Sequence, residues 1–173
     1  FPKSARPMVF SDCGLVINPD ADELASIAVM AAQSCKDLLQ IEPNVAMLSF
    51  STKGSAIHPK VSKVVKATKI VKSRNPEIKI DGELQFDAAI SPEIAELKAK
   101  GSSTAGNANV MIFPNLDAGN IGYKISQRLG GAEAIGPILQ GLAKPANDLS
   151  RGCSAADVTQ MIAVTILQAR NSQ

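Results

Sequence analysis

Two short apolar runs constrain what this chain can fold into. Residues 45–50 read VAMLSF and residues 109–113 read NVMIF. Continuous apolar runs of this kind are strands covered on both faces, as in a parallel sheet with helices packed over it. A strand with one wet face would instead alternate apolar and polar residues. The rest of the chain agrees, because short apolar runs alternate with segments of helical period.

Residues 7–15, with Met8, Val9 and Phe10, read as a first strand. A helix is expected over residues 20–40, where Leu24, Ile27, Ala28, Ala31, Cys35 and Leu38 share one face behind an acidic start. A second helix begins near Pro59, with Val61, Val64, Val65, Thr68 and Val71 inward, and breaks at Arg74-Asn75-Pro76. Residues 78–80 are a short strand, and DGELQFDAA reads as the loop leading to a helix over 92–98. Residues 100–107 are a polar surface loop, and Pro114 ends the strand at 109–113. Residues 118–129 form a helix stopped by Gly130-Gly131, and residues 134–139 a last strand. An irregular stretch then leads to a terminal helix over 155–169. With Val158, Met161, Ile162, Val164, Ile166 and Leu167, that helix is apolar nearly all round and is expected to be buried on most sides.

The 173 residues allow one good core, or one domain and part of a second. At 45% hydrophobic, 20% charged and a net charge of +2, the composition is that of an ordered globular chain. The lysines are dispersed and only one Tyr and no Trp occur, so a basic groove with stacking aromatics for nucleic acid is absent. Three cysteines, Cys13, Cys35 and Cys153, lack metal-ligand spacing, and His58 is the sole histidine, so no metal site is expected. Reduced thiols fit a cytoplasmic protein. No apolar run approaches the roughly 20 residues of a membrane span. The chain opens on Phe1 in the middle of what reads as structure, and we expect a piece of a longer protein.

Chemistry concentrates in KPANDLSRGCSAAD, residues 144–157. Ser150, Arg151 and Gly152 lie just before a helix whose cap is Ser154. Unpaired N–H groups at a helix start receive anions, and a guanidinium forks onto phosphate. Gly152 lets the backbone approach a ligand. Ser154-x-x-Asp157 is equally a capping box, with Asp for the usual Glu or Gln. Cys153 is read as packing rather than as a nucleophile.

Two loops at strand ends are binding candidates, because ligands of open α/β sheets gather there. One offers Ser51, Thr52, Lys53, Gly54 and Ser55, without P-loop spacing. The other, around the helix after Phe113, offers Asn115, Asp117, Asn120, Tyr123 and Lys124. For both loops ordinary turn chemistry remains an alternative. His58, before Pro59 in a polar loop, is read as exposed.

NDLSRGCSAAD resembles the signature near the end of phosphate acetyltransferases. FSDCGLVINPDADELASIA, VAMLSFSTKGSA, IDGELQFDAA and FPNLDAGNIGYKISQRLGGAEAIGPILQGLAKP resemble segments of the same family in the same order. The resemblance spans essentially the whole chain. It implies a three-layer α-β-α fold with a mostly parallel sheet, isocitrate/isopropylmalate dehydrogenase-like as in the family. Residues 1–139 would be a second, inserted domain. Residues 140–173 would return to a first domain largely absent here, which accounts for the apolar last helix.

The implied reaction moves acetyl between coenzyme A and inorganic phosphate without an acyl-enzyme: the thiolate attacks the carbonyl of acetyl phosphate and phosphate leaves. Carried over, Asp157 takes the thiol proton, Ser150 hydrogen-bonds the acyl group and Arg151 binds phosphate. Substrate contacts would come from Ser51, Thr52, Gly54, Ser55, Asn120, Tyr123 and Lys124. Coenzyme A or acetyl-CoA, acetyl phosphate and phosphate are the expected partners, with no tightly bound cofactor, and a cytoplasmic homodimer is implied. A thiol near pKa 8.5 and an Asp near 3.9 differ by about 4.6 units, roughly 6 kcal/mol uphill. Asp157 therefore stands as base, as orienter of Ser150 or Arg151, or as helix cap. Alternatives are transfer of butyryl or propionyl groups, acyl-CoA binding without turnover as in similar domains fused to malic enzymes, and a structural fragment. Further arginines of the cleft would lie in the absent part, so the chain alone is expected to have little or no transferase activity.

Overall fold

A computed structural model describes residues 6–171. The outer limits of the two expected segments, at residues 1 and 173, lie outside them. Four strands, β1 (Val9–Ser11), β2 (Asn44–Leu48), β3 (Lys79–Leu84) and β4 (Val110–Ile112), form one sheet in the order β1-β4-β2-β3. Every pairing is parallel. The two runs that read as doubly covered are the two central strands.

The strand period of two sorts their side chains. Val45, Met47, Val110 and Ile112 face the layer of α1 (Ala21–Ser34) and α2 (Pro59–Arg74). Ala46, Leu48, Met111 and Phe113 face the opposite layer, with Ala89 of α3 (Phe86–Ile90), Ala99 after α4 (Pro92–Lys98) and Ala118 of α5 (Leu116–Arg128). This is the three-layer α-β-α arrangement. Each large aliphatic side chain buried here contributes about 1.5–3 kcal/mol.

Helix starts are encoded locally. Asp20 caps α1 and Glu23 returns the bond to its amide, a full capping box. His58 caps α2 through Nδ1, with Pro59 in the first turn, and remains exposed. The expected inward faces hold, with Leu38 and Val65 only half-buried. After α1 the chain loosens into a π-helical turn, Cys35–Leu39, and leaves at Gln40 in the left-handed region (φ 56°).

Several expectations are corrected. The first strand is only three residues long, because Asp12 turns the chain by accepting the amides of Gly14, Leu15 and Val16 at 2.7–3.0 Å. The supposed loop DGELQFDAA is instead the second half of β3 running straight into α3. Asp81 and Glu83 look solvent-seeking but lie buried in the ladder with partners. In the 100–107 loop, Thr104 is buried. No strand forms over 134–139: Pro137 has no N–H for a ladder, and the Leu139 amide goes to Asn147 Oδ1. The terminal helix, α6 (Ala155–Asn171), buries Met161 but leaves Val158, Ile162 and Ile166 exposed, so the burial expected of it is not met within the described residues.

Candidate active site

All four strands end at one rim of the sheet, and the loops leaving them carry the candidate residues. After β2 the chain makes a left-handed turn at Lys53 and Gly54 (φ 50° and 81°). Strand β3 dictates this turn. Asp81, Glu83 and Gln85, two residues apart, each hold a different part of it. Asp81 Oδ1 accepts Lys53 Nζ at 2.6 Å and Lys72 Nζ at 3.0 Å, and Ser102 Oγ donates to Oδ2 at 2.5 Å. Glu83 Oε1 accepts Ser51 Oγ at 2.8 Å and the Gly54 amide at 2.7 Å. Gln85 bonds Thr52 through its amide (2.9 Å) and its side-chain oxygen (3.3 Å). Ser55 Oγ accepts the Thr52 amide at 3.0 Å.

Ser51 and Thr52 are therefore buried and engaged, whereas Gly54 and Ser55 reach the surface. Burial pushes the Asp81 carboxyl up, but hydrogen bonds from Lys53, Ser102, Lys72 and the Gly82 amide outweigh it and hold it down at about 2.

At the other end of the rim, α5 starts on Asn115, whose Oδ1 accepts the Ala118 amide. Gly119 is required there, because a Cβ would lie 2.1 Å from the Asp12 carbonyl oxygen. That close approach lets Asn120 Nδ2 donate to the Cys13 carbonyl at 3.0 Å, while its Oδ1 accepts Lys124 Nζ at 2.7 Å. Tyr123 is half-buried beside Lys124. Burial, reinforced by Asp12, pushes the Cys13 thiol up to about 12, so it is no thiolate near neutrality. Lys63 of α2 ties the rim together, donating to Asn18 Oδ1, the Pro19 carbonyl and the Pro114 carbonyl.

The signature segment lies apart from both loops, with no hydrogen bond joining it to either among the described residues. Just before it, Gln140 bonds Ser34 and Ser11 on the sheet side, and after it α6 packs against the π-helical turn that follows α1. Asn147 fastens it to α6 through Thr165 and Gln168. Ser150 Oγ accepts the Gly152 amide at 3.3 Å, in a turn closed by the Cys153 amide on the Ser150 carbonyl. Ser150 and Arg151 are exposed, and the guanidinium has no partner among the described residues.

The Ser154–Asp157 box forms as its spacing predicts, with Ser154 N and Oγ on Asp157 Oδ2 at 2.7 and 2.9 Å and the Asp157 amide on Ser154 Oγ at 3.2 Å. The Ser154 amide and then its hydroxyl hold the Asp157 carboxyl below its ordinary range. This widens its mismatch with a thiol. Among the described residues no three His, Cys, Asp or Glu side chains cluster to hold a metal ion.

Sequence reasoning missed Asp12, Lys63, Asp81, Glu83 and Gln85. The signal for three of them was present: Asp-x-Glu-x-Gln at the period of a strand.

A parallel three-layer α/β domain, with hydroxyl- and cation-bearing loops at the carboxyl ends of its strands, belongs to a class whose ligands gather at that rim. The family model described as "Phosphate acetyl/butaryl transferase" matches residues 2–166, and the chain belongs to that family. It is 60% identical over 162 residues to a phosphate acetyltransferase of Acetivibrio thermocellus, covering 94% of this chain and 49% of that protein. A solved phosphotransacetylase from Streptococcus pyogenes superimposes with a TM-score of 0.95 at 54% identity, covering 99% of this chain and 52% of that one. A branched-chain phosphotransacylase from Enterococcus faecalis is more distant, at 26% identity and TM-score 0.74 over 91% of this chain and 58% of that one. The chain spans about half the length of the curated relatives it matches. Among the described residues no helix is long and apolar enough to cross a membrane.

Proposed function

We propose that this chain is the part of a phosphate acetyltransferase that carries the signature segment, and that the whole protein moves acetyl between coenzyme A and inorganic phosphate. The observation that carries the reading is Arg151, an unpartnered guanidinium just before α6, within an intact family segment. A free planar fork of donors suits a phosphate leaving group.

In this reading the sulfur of the coenzyme A thiol attacks the carbonyl carbon of acetyl phosphate as its proton leaves, the carbon–oxygen bond to phosphate breaks, and Arg151 holds the departing phosphate. Ser150 donates to the acyl oxygen, and Asp157 receives the thiol proton as the carbon–sulfur bond forms. The low Asp157 pKa demands that the proton move in concert with that bond, or that the absent part of the cleft bury the carboxylate. Ser55, Gly54, Tyr123 and Lys124 offer surface groups for substrate contact, Ser51 and Thr52 hold the loop, and Asn120 holds the rim against Cys13.

We place the domain division at 139/140, supported by a segment that adds no strand and docks through a few side-chain hydrogen bonds. A homodimer is supported by the exposed Ile121, Ile125 and Leu129 of α5 and the residue after it. Three free thiols support a reducing compartment. Acetyl is the acyl group favoured by the 60% identity to a named acetyltransferase, against 26% to a branched-chain enzyme.

Thioester formation from acetyl phosphate and coenzyme A, followed by absorbance, tests this. Turnover is expected when the sequence lies in a full-length protein, and little from the 173 residues alone. A full-length protein without turnover would overturn the transferase reading. Full turnover by the chain alone would overturn the incomplete cleft.

A further inference from the structure

A little before Ser150 in the chain, the Asn147 side chain closes a ring of hydrogen bonds that no step of the proposed reaction uses. Its Oδ1 accepts the Leu139 amide at 2.8 Å. Its Nδ2 donates to Thr165 Oγ1 at 2.9 Å and to Gln168 Oε1 at 2.7 Å. Gln168 Nε2 donates in turn to the Leu139 carbonyl at 2.9 Å, so both backbone groups of Leu139 are held. Leu139 is itself a fixed point, because Gln140 beside it bonds Ser11 of β1 and Ser34 of α1. On α6, Thr165 and Gln168 share the face of the buried Met161.

The ring leaves no freedom in the polarity of the Asn147 amide. The Leu139 N–H needs an acceptor, so Oδ1 must face it. Thr165 gives its own proton to the Met161 carbonyl at 2.8 Å and can only accept from Asn147. Gln168 turns its N–H group to Leu139 and therefore offers an oxygen. The position calls for an acceptor on one side and a pair of donors on the other, which is the inventory of a carboxamide. Aspartate would set an oxygen against the Thr165 and Gln168 oxygens, and an aliphatic residue would leave the Leu139 amide without its acceptor.

The turn that carries Ser150 and Arg151 is thereby tied at both ends to one helix. Beyond it, the Ser154–Asp157 box fixes the chain to the first turn of α6, and before it Asn147 fixes the chain to Thr165 and Gln168. Ala155 and Thr165 are about 15 Å apart along the helix at 1.5 Å per residue. The chain from Asn147 to Ala155 could reach about 26 Å when extended. The excess is taken up by the turn closed between Ser150 and Cys153. Where that turn projects is set by its ties, and the Asn147 tie also reaches β1 through Leu139 and Gln140.

We propose that Asn147 is a positioning residue for acetyl transfer. It touches no substrate, but it sets where the Ser150–Arg151 turn stands and so where the guanidinium meets the departing phosphate. This role rests on the acetyl-transfer reading and adds to it a residue that acts only through Arg151 and its neighbour.

Asn147→Asp in the full-length protein is the test, because it keeps the volume and an oxygen for the Leu139 amide while losing both donations to α6. Slow hydrogen exchange at the Leu139 amide verifies that the segment is still docked. Turnover is expected to fall about thirtyfold with the KM for coenzyme A within about twofold, since a small displacement acts on the reacting geometry rather than on binding. Backbone order parameters of Arg151 and Gly152 should drop from about 0.85 to about 0.6. Added to Arg151→Ala, the same change should cost only about threefold more, because the group it positions is already gone.

Losses from Asn147→Asp and Arg151→Ala that multiply in full would overturn the role and leave the acetyl-transfer reading intact. Unchanged turnover with a protected Leu139 amide would do the same. Should Leu139 lose its protection, Thr165→Val removes a single acceptor at constant volume, and unaltered order at Arg151 in that variant would overturn the role. A wild-type full-length protein without turnover would overturn the acetyl-transfer reading and the catalytic role with it. The order parameters would then still decide whether Asn147 holds the turn.

Discussion

The loop after β2 and the turn before α6 are written in nearly the same letters and do opposite things. Ser51-Thr52-Lys53-Gly54-Ser55 and Ser150-Arg151-Gly152-Cys153-Ser154 each combine hydroxyls, one cation and a glycine. In the first, Ser51, Lys53 and the Gly54 amide are bonded to β3, and Thr52 to Gln85 just after it. In the second, Ser150 Oγ takes only the nearby Gly152 amide and Arg151 takes nothing. Neighbours explain the difference, since β3 presents buried carboxylates that must be satisfied during folding, whereas the turn before α6 faces water. Ser51, Thr52 and Lys53 of the first loop are consumed by the fold, whereas the Arg151 guanidinium of the second has no partner among the described residues.

The largest effect that tests this contrast is on stability. Asp81→Ala removes the acceptor of Lys53, Lys72 and Ser102 together. Breaking a buried charged cluster should cost about 3 kcal/mol in urea unfolding. A loss below about 1 kcal/mol would mean that the Asp81 cluster does not hold the loop. Arg151→Ala should behave in the opposite way. Its unfolding midpoint should stay within about 0.5 kcal/mol of wild type, while acetyl transfer by the full-length protein falls about a hundredfold. Unfolding caused by the arginine change would erase the distinction between the two regions.

Acid titration sharpens the same point. Asp81 sits at about 2 when folded and returns to the ordinary carboxylate range when unfolded. The unfolded state therefore takes up protons first, and the resulting stability, about 2 kcal/mol, is complete above roughly pH 4. It disappears as pH falls from there toward 2. Asp81→Asn should flatten this acid limb, and an unchanged slope would assign acid sensitivity to other groups.

Much of this was legible from residue order. The runs at 45–50 and 109–113 marked the central strands because both faces of each had to be apolar. The helix faces followed from period, and the Ser154–Asp157 box from spacing. What was not legible depended on partners remote in sequence. Asp81 and Glu83 read as loop residues because their burial requires Lys53, Ser51 and Gly54, which the parallel pairing of β2 with β3 brings near, and Lys72, which the packing of α2 on β3 supplies. Residues 134–139 read as a strand on hydrophobicity alone, although Pro137 withholds a ladder donor. The apolar α6 was legible as a sequence, but the described residues supply cover mainly for Met161.

The smallest effect concerns Asp157, where cap and catalyst coincide. Ser154→Ala removes the hydroxyl that meets Asp157 from both sides and should cost about 1 kcal/mol, seen as earlier loss of exchange protection in the first turn of α6. Asp157→Asn retains an oxygen for the Ser154 amide, so that turn should hold nearly as well as in wild type. It removes the proton acceptor, so turnover of the full-length protein should fall while helix protection stays. A capping role alone predicts the reverse order, with Ser154→Ala at least as harmful to turnover as Asp157→Asn. The pair of variants therefore separates a carboxylate that holds the helix from one that also takes the proton of the attacking thiol.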